Sequence, residues 1–258
     1  MRVSGTVPLG AGPATLGASV PTPALWFGTL FQDALRRAGV AVSGPIRVIH
    51  DGDRGDSTVW REVASVPSPP VGELVREMMK PSQNLYAQLL LLSVGAAASE
   101  ARTEPDSGSG MTTEAAGLAE LPALLRMAGI DARDVALEEG SGLSRKNLVT
   151  PRSLVQLLTY MMRHPAAAPW RAAMPIGGVD GTLRSRFGQP GLKGNVRAKT
   201  GTLRHVQSLS GYLTNSVGEP LVFSILVNGA VAPAAGSTAR QAMDAWVGLL
   251  ALSAVRDE

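Results

Sequence analysis

The chain has 258 residues, of which 45% are hydrophobic and 17% charged, enough apolar material for a full globular core and too much for extended disorder. Its 24 Lys and Arg stand against 21 Asp and Glu, scattered without the basic block or basic-aromatic alternation of a nucleic-acid groove, so nucleic acid is excluded as a partner. Cysteine is absent, which rules out disulfide frameworks and thiolate chemistry.

Residues 1–17 carry neither a charged start nor an apolar run of signal-peptide length. The first helix signal follows at Thr22-Pro23, a cap and a first-turn proline, with Trp26/Phe27, Leu30/Phe31 and Ala34/Leu35 recurring before Gly39. Residues 46–50 (IRVIH) and 58–66 (TVWREVASV) read as short strands. The DGDRGD between them is a solvated turn, since it lacks the other ligand positions of a calcium loop. A helix over 71–80, with Leu74, Val75, Met78 and Met79 on its apolar side, stops at KPSQN, which leaves Ser82 and Asn84 at a corner. The run LYAQLLLLSVGAAA at 85–98 is shorter than the ~20 residues of a membrane span and predicts a buried core helix. Residues 99–111 predict a mobile loop, and the helix expected over 112–128 must kink or break at Pro122.

EEGSGLSRKN leads as a structural loop to Thr150-Pro151, which opens a helix carrying Leu154, Leu157, Leu158 and Met161 and ending at His164-Pro165. Residues 175–195, broken by glycine or proline every few positions, read as turns. VRAKTGTL, SLSGYLTN and PLVFSILVNG then predict an antiparallel meander with a hairpin at NSVGEP. A last helix begins near Ser237 or Thr238, with Met243, Trp246, Val247 and Leu250 in helical register. Helices, then strands, then a closing helix give a layered α/β fold.

Chemistry concentrates in two short motifs. Lys199-Thr200-Gly201-Thr202 puts a cation and two hydroxyls around a glycine on one strand, where another backbone can approach closely. That suits a ligand with a carboxylate tail, added as an extra strand at a free sheet edge. Ser82-Gln83-Asn84 lies 117 residues earlier. Taken singly, the first is an exposed lysine and the second a helix cap; their order, Ser-x-Asn then Lys-Thr-Gly, is that of penicillin-recognising serine enzymes. His50, His164 and His205 have no acidic partner at a telling spacing, so no Ser-His-Asp triad can be assembled.

KPSQNLYAQLLLLSVG, EEGSGLSRKNLVTPRSLVQLL, PIGGVDGTLRSRF and GNVRAKTGTLRHVQSLSGYLTN together resemble the D-alanyl-D-alanine carboxypeptidase/endopeptidase family, the class C low-molecular-mass penicillin-binding proteins. VSGTVPLGAGP and WFGTLFQDALRRAGVAVSG extend the resemblance toward the start of the chain. It implies the serine β-lactamase/penicillin-binding-protein fold, an antiparallel sheet flanked by helices and incomplete at the N-terminus. Residues 1–258 would form the C-terminal part of the catalytic domain, with 1–20 the remnant of an inserted domain and Met1 a truncated or mis-assigned start. By that resemblance Ser82 relays a proton to the leaving amine and Asn84 holds the substrate's peptide carbonyl. Lys199, Thr200 and Thr202 hold the terminal carboxylate beside Gly201, and the Thr202 N–H supplies half of an oxyanion hole. It also implies no cofactor or metal, a peptidoglycan stem peptide ending in D-Ala-D-Ala as substrate, β-lactams as its mimics, and an extracytoplasmic location.

Two departures stand out. Gln83 replaces a short Asp or Asn and is expected to point away from the ligand. More seriously, Glu77, Leu143, Pro190 and Val196 precede the four lysines by three residues, so the chain has no Ser-x-x-Lys, the family's nucleophile motif. The chain alone is therefore expected to be inactive. A muropeptide-binding pseudoenzyme is the first alternative and a β-lactamase the second.

Overall fold

The computed structural model describes residues 4–13, 15, 17–49, 61–101, 111–231 and 238–254. It divides into two units, Met1–Val66 and Pro67–Glu258. In the first, helix α1 (Pro23–Arg37) starts with Pro23 in its first turn, as expected, although the Thr22 side chain makes no capping bond. Phe27 and Phe31, one turn apart, stack with centroids 6.1 Å apart, and no residue of α1 is buried. The expected strands do not form: 46–49 and 61–66 are irregular, because neither finds a ladder partner among the described residues and an unpaired strand has no hydrogen-bonding advantage. His50, the DGDRGD turn and 58–60 lie outside the described residues.

The second unit is built on an antiparallel sheet in the order β3 (Arg197–Leu203), β4 (Val206–Thr214), β5 (Pro220–Asn228). A smaller ladder pairs β1 (Val135–Ala136) with β2 (Leu148–Val149). Alternation sorts the main sheet's side chains. Ala198, Leu209, Leu213 and Phe223 face helix α8 (Ala239–Leu252), where they pack with Met243 and Val247, and with Leu183, Phe187, Leu192 and Val196 from the turn-rich segment. Tyr212 and Val222 face the other way, onto α2 (Val71–Met79), α6 (Pro151–Arg163) and α7 (Ala167–Ala173), through Met79, Leu158, Met174 and Trp170. The result is a helix-sheet-helix sandwich with two apolar seams.

Local signals act as their chemistry dictates. Thr150 and Thr238 each close a capping box, with Ser153 and Gln241 respectively. Pro122 splits its helix into α4 (Thr113–Ala119) and α5 (Leu121–Met127), sitting in the first turn of α5, where its missing N–H costs nothing. Two expectations need correcting. Helix α3 (Asn84–Glu100) is not a buried core helix: of its 17 residues only Gly95 is buried, while Leu85 and Leu89 are 59% and 48% exposed, since α4 covers only one side. Trp246 lies in α8 at the expected helical spacing, though it is 51% exposed. Helix α7 was not anticipated. Most of the expected loop over 99–111 lies outside the described residues. Among those described, no helix is long and apolar enough to cross a membrane.

Candidate active site

The site forms where the α2–α3 corner meets the free edge of β3. Lys80 closes α2, and Gln83 N–H reaches back to the Met78 carbonyl at 2.8 Å, so Ser82 is carried through the turn at φ 63°. That left-handed conformation is uncommon for a residue with a Cβ and persists only where its surroundings over-determine it. From there Ser82 Oγ accepts a hydrogen bond from Lys199 Nζ at 2.5 Å. The same ammonium donates to the Thr200 carbonyl at 2.7 Å. Burial, with no carboxylate paired to it among the described residues, pushes Lys199 down from the ordinary 10.5 to about 8.

Edge geometry follows from the ladder. Ala198 N–H leaves β4 and reaches the Pro175 carbonyl at 3.1 Å, and the Val196 carbonyl accepts from Gly177 N–H at 2.8 Å. Because antiparallel strands alternate their hydrogen-bonding sides, Thr200 and Thr202 also present N–H and C=O to that outer edge, where no backbone partner among the described residues covers them. Gly201 sits between, opposite Ser208, whose hydroxyl occupies the space a Cβ would need. Thr202 Oγ1 lies 3.3 Å from Gln207 Oε1.

Asn84 Nδ2 donates to the Ser141 carbonyl at 2.8 Å, which ties the start of α3 to the 138–147 loop. Glu139 organises that loop, accepting from Ser141 N–H at 2.6 Å, Gly142 N–H at 2.9 Å and Ser144 N–H at 3.2 Å. Burial alone would raise its carboxyl, but these bonds and one from Asn147 outweigh it and hold Glu139 below the usual range. The backbone N–H groups of Ser141 and Ser144 thus hold the loop's shape, and Ser141 also lines the cavity. Gln83 is exposed and its Oε1 accepts from Leu85 N–H at 3.4 Å, capping α3; it nevertheless lines the cavity beside Ser82 and Asn84, against the expectation that it points away.

All six sequence candidates, Ser82, Asn84, Lys199, Thr200, Gly201 and Thr202, line one open cavity of about 630 Å³. Leu143, Leu203, Val206 and Leu226 give it an apolar wall. His205, exposed at the β3–β4 turn, bonds through Nδ1 to the Ala230 carbonyl at 3.0 Å and does not line it. Sequence reasoning missed Thr182, whose Oγ1 accepts from Thr200 Oγ1 at 2.9 Å. Nothing in the spacing of that turn-rich segment marks it. Among the described residues no His, Cys, Asp or Glu cluster could hold a metal ion.

A family model described as the D-Ala-D-Ala carboxypeptidase 3 (S13) family matches residues 1–249. The chain is 37% identical to a D-alanyl-D-alanine carboxypeptidase of Actinomadura sp. (strain R39) over 91% of its own length and 42% of the relative's. It is 32% identical to the D-alanyl-D-alanine carboxypeptidase DacB of Haemophilus influenzae over 84% of this chain and 43% of that one. The solved structure of penicillin-binding protein 4 (dacB) from H. influenzae, complexed with a β-lactam, superposes with a TM-score of 0.71 at 28% identity. That match covers 90% of this chain and 52% of the other. The chain therefore spans less than half the length of these two curated relatives.

Proposed function

The chain belongs to the D-Ala-D-Ala carboxypeptidase 3 (S13) family, and we propose that it provides the substrate-gripping half of a serine carboxypeptidase site, acting on stem peptides that end in D-Ala-D-Ala. A single observation carries this reading: Lys199 Nζ lies 2.5 Å from Ser82 Oγ, so two motifs 117 residues apart share one cavity. The peptide lies along the open edge of β3, adding its backbone to the sheet. Its terminal carboxylate meets the Lys199 ammonium and the Thr200 and Thr202 hydroxyls, which turn from Thr182 and Gln207 to donate charge-assisted bonds in a place water only partly reaches. Thr202 N–H points at the scissile carbonyl as one oxyanion donor. Asn84 Nδ2, with one hydrogen held by Ser141, keeps the other for a peptide carbonyl. Ser82, bonded to Lys199, is placed to pass a proton to the D-alanine nitrogen in a site that also holds an attacking oxygen.

The attacking oxygen is the part not found in this sequence. No serine stands three residues before a lysine, and losing the nucleophile of a serine enzyme costs about a million-fold in rate. The chain therefore binds without turnover, as the C-terminal part of a penicillin-binding catalytic domain, with residues 1–20 the end of an inserted domain. Its setting is the extracytoplasmic cell wall, and β-lactams enter the same cavity as substrate mimics.

The test combines a fluorescent penicillin with a diacyl-Lys-D-Ala-D-Ala peptide. Denaturing electrophoresis and intact mass should show no covalent adduct, and no D-alanine should be released. The peptide should still shift backbone NMR resonances near Thr200 and Thr202, and Lys199→Met should abolish those shifts. A stoichiometric adduct would overturn the binding-only reading and its position would name the nucleophile. Absence of any peptide-induced shift would overturn the carboxylate clamp itself.

A further inference from the structure

We propose that Asp180, through its ion pair with Lys80, is a positioning residue that holds the Ser82 corner and the ligand edge of β3 in register with each other. The proposal rests on the reading of Lys199 and Thr200 as the carboxylate clamp.

Lys80 ends α2 two residues before Ser82. Its Nζ donates to Asp180 Oδ1 at 2.9 Å and Oδ2 at 2.7 Å, and to the Met174 carbonyl at 2.6 Å. Asp180 Oδ1 in turn accepts from Ile176 N–H at 2.9 Å, while the Ile176 carbonyl accepts from the N–H groups of Val179 and Asp180, both at 3.1 Å. One ion pair thus fixes the outer side of the 174–180 turn. The inner side of that turn is the short segment that covers β3, through Pro175 and Gly177, as far as Ala198. Just before it the chain coils into α7, so the cover ends there and Thr200 and Thr202 are left open.

The backbone of Lys80 is held as well. Its carbonyl accepts from Thr182 N–H at 3.1 Å, and this approach needs the glycine between Asp180 and Thr182. Gly181 has φ 56°, and a Cβ there would lie 2.6 Å from the Lys80 oxygen. Thr182 then carries the hydroxyl that receives Thr200 Oγ1. Through Lys80, the segment that orients Thr200 is also the segment that anchors the turn leading to Ser82. Side chains of Lys80 and Asp180 are 19% and 33% exposed, and partly exposed ion pairs contribute little to stability. What the pair does supply is geometry: it adds a side-chain tie to the Thr182 N–H bond on the Lys80 carbonyl, so that the strained Ser82 turn and the 174–182 turn are held to each other at two points.

Lys199 reports on that geometry, because burial lowers its pKa and its ammonium lies against Ser82 Oγ at 2.5 Å. With only four lysines in the chain, at 80, 146, 193 and 199, protein labelled with [13Cε]lysine can be titrated residue by residue by NMR, with Lys199→Arg assigning the signal. Asp180→Asn and Lys80→Met should each raise the Lys199 midpoint by roughly one pH unit or more, toward the ordinary lysine value, as water enters. In Asp180→Asn the loss of a carboxylate alone would push a nearby lysine down, so an upward shift there reports hydration and not lost charge; Lys80→Met removes a like charge, which by itself raises a lysine, so its shift counts only when Asp180→Asn shows one too. Lys80→Arg should keep the wild-type midpoint. Should Asp180→Asn fail to fold, Asp180→Glu, with its longer arm, replaces it, and the same upward shift is expected. Variants that melt earlier while the Lys199 midpoint stays put would overturn the proposal, as would a wild-type Lys199 titrating at the ordinary value. Peptide binding plays no part in this measurement, so failure of the proposed function and failure of the positioning role are read separately.

Discussion

The β3–β5 sheet with α8 and the helix α3 are both rich in apolar residues, yet they dispose of them in opposite ways. In the sheet seam Leu209, Val196, Ala198, Met243 and Val247 are all at 0% exposure, closed from both sides by segments close at hand. Helix α3 meets α4 through glycine: a Cβ on Gly95 would run into the Thr113 backbone, and one on Gly117 into Leu91. That contact is intimate but narrow, and Leu85, Leu89 and Val94 remain exposed around it. Apolar content therefore states how much surface a helix offers; whether it is covered depends on which neighbours the chain folds against it.

If the sheet seam is self-sufficient, truncating it should produce the largest losses. Leu209→Ala should cost about 2–5 kcal/mol in urea unfolding, since a fully enclosed site cannot collapse around the cavity. Gly95→Ala should cost about 1–3 kcal/mol, because the added methyl must push α3 and α4 backbones apart. A cost near zero there would mean that the helices are not held together and would erase the contrast with the sheet. Tyr212→Phe sits between these regimes on the opposite sheet face. Its hydroxyl donates to the Leu158 carbonyl at 2.8 Å and accepts from Trp170 Nε1 at 3.1 Å. Removing it leaves the Trp170 Nε1–H without its acceptor, for about 1–3 kcal/mol in the same assay.

The difference between the two regions also governs how much could be read from sequence. The meander was legible because alternation and turn residues act locally, and the same holds for the caps at Thr150 and Thr238 and the break at Pro122. The strands expected at 46–50 and 58–66 had the right residues, but their described parts, 46–49 and 61–66, have no ladder partner among the described residues, and pairing is not a local property. Helix α7, AAPWRAA, hid behind Pro165, which read as the end of the preceding helix. Ser82 and Lys199 could be joined only through the order of their motifs, since a spacing of 117 residues implies no contact by itself. The Lys80–Asp180 pair, 100 residues apart, carries no such motif and emerged only from the fold.

Lys199 offers a subtler probe of the sheet edge, through pH. Its folded pKa of about 8 lies below the ordinary 10.5, so between these values the unfolded chain holds a proton that the folded one has released. Stability contributed by this group should therefore rise with pH across that window and be flat below it. Tyr212, pushed up mainly by burial, acts in the opposite sense above pH 10, so the effect is read as the difference between wild type and Lys199→Met. A difference that does not change between pH 8 and 10 would mean that water reaches the ammonium and that the Ser82 corner does not cover it.

The smallest effect on stability should come from the exposed face of α3. Leu89 is 48% exposed, so Leu89→Ser removes little buried surface and should change the unfolding free energy by no more than about 0.5 kcal/mol. Its consequence should appear in solution behaviour instead. Leu85, Tyr86 and Leu89 sit within about one turn of each other and present apolar area to water, which favours self-association. Leu89→Ser should shift the chain toward monomer in sedimentation velocity while leaving its melting curve nearly unchanged. A large loss of stability would show that this face is packed in solution, and the distinction between a closed sheet and an uncovered helix would then fall.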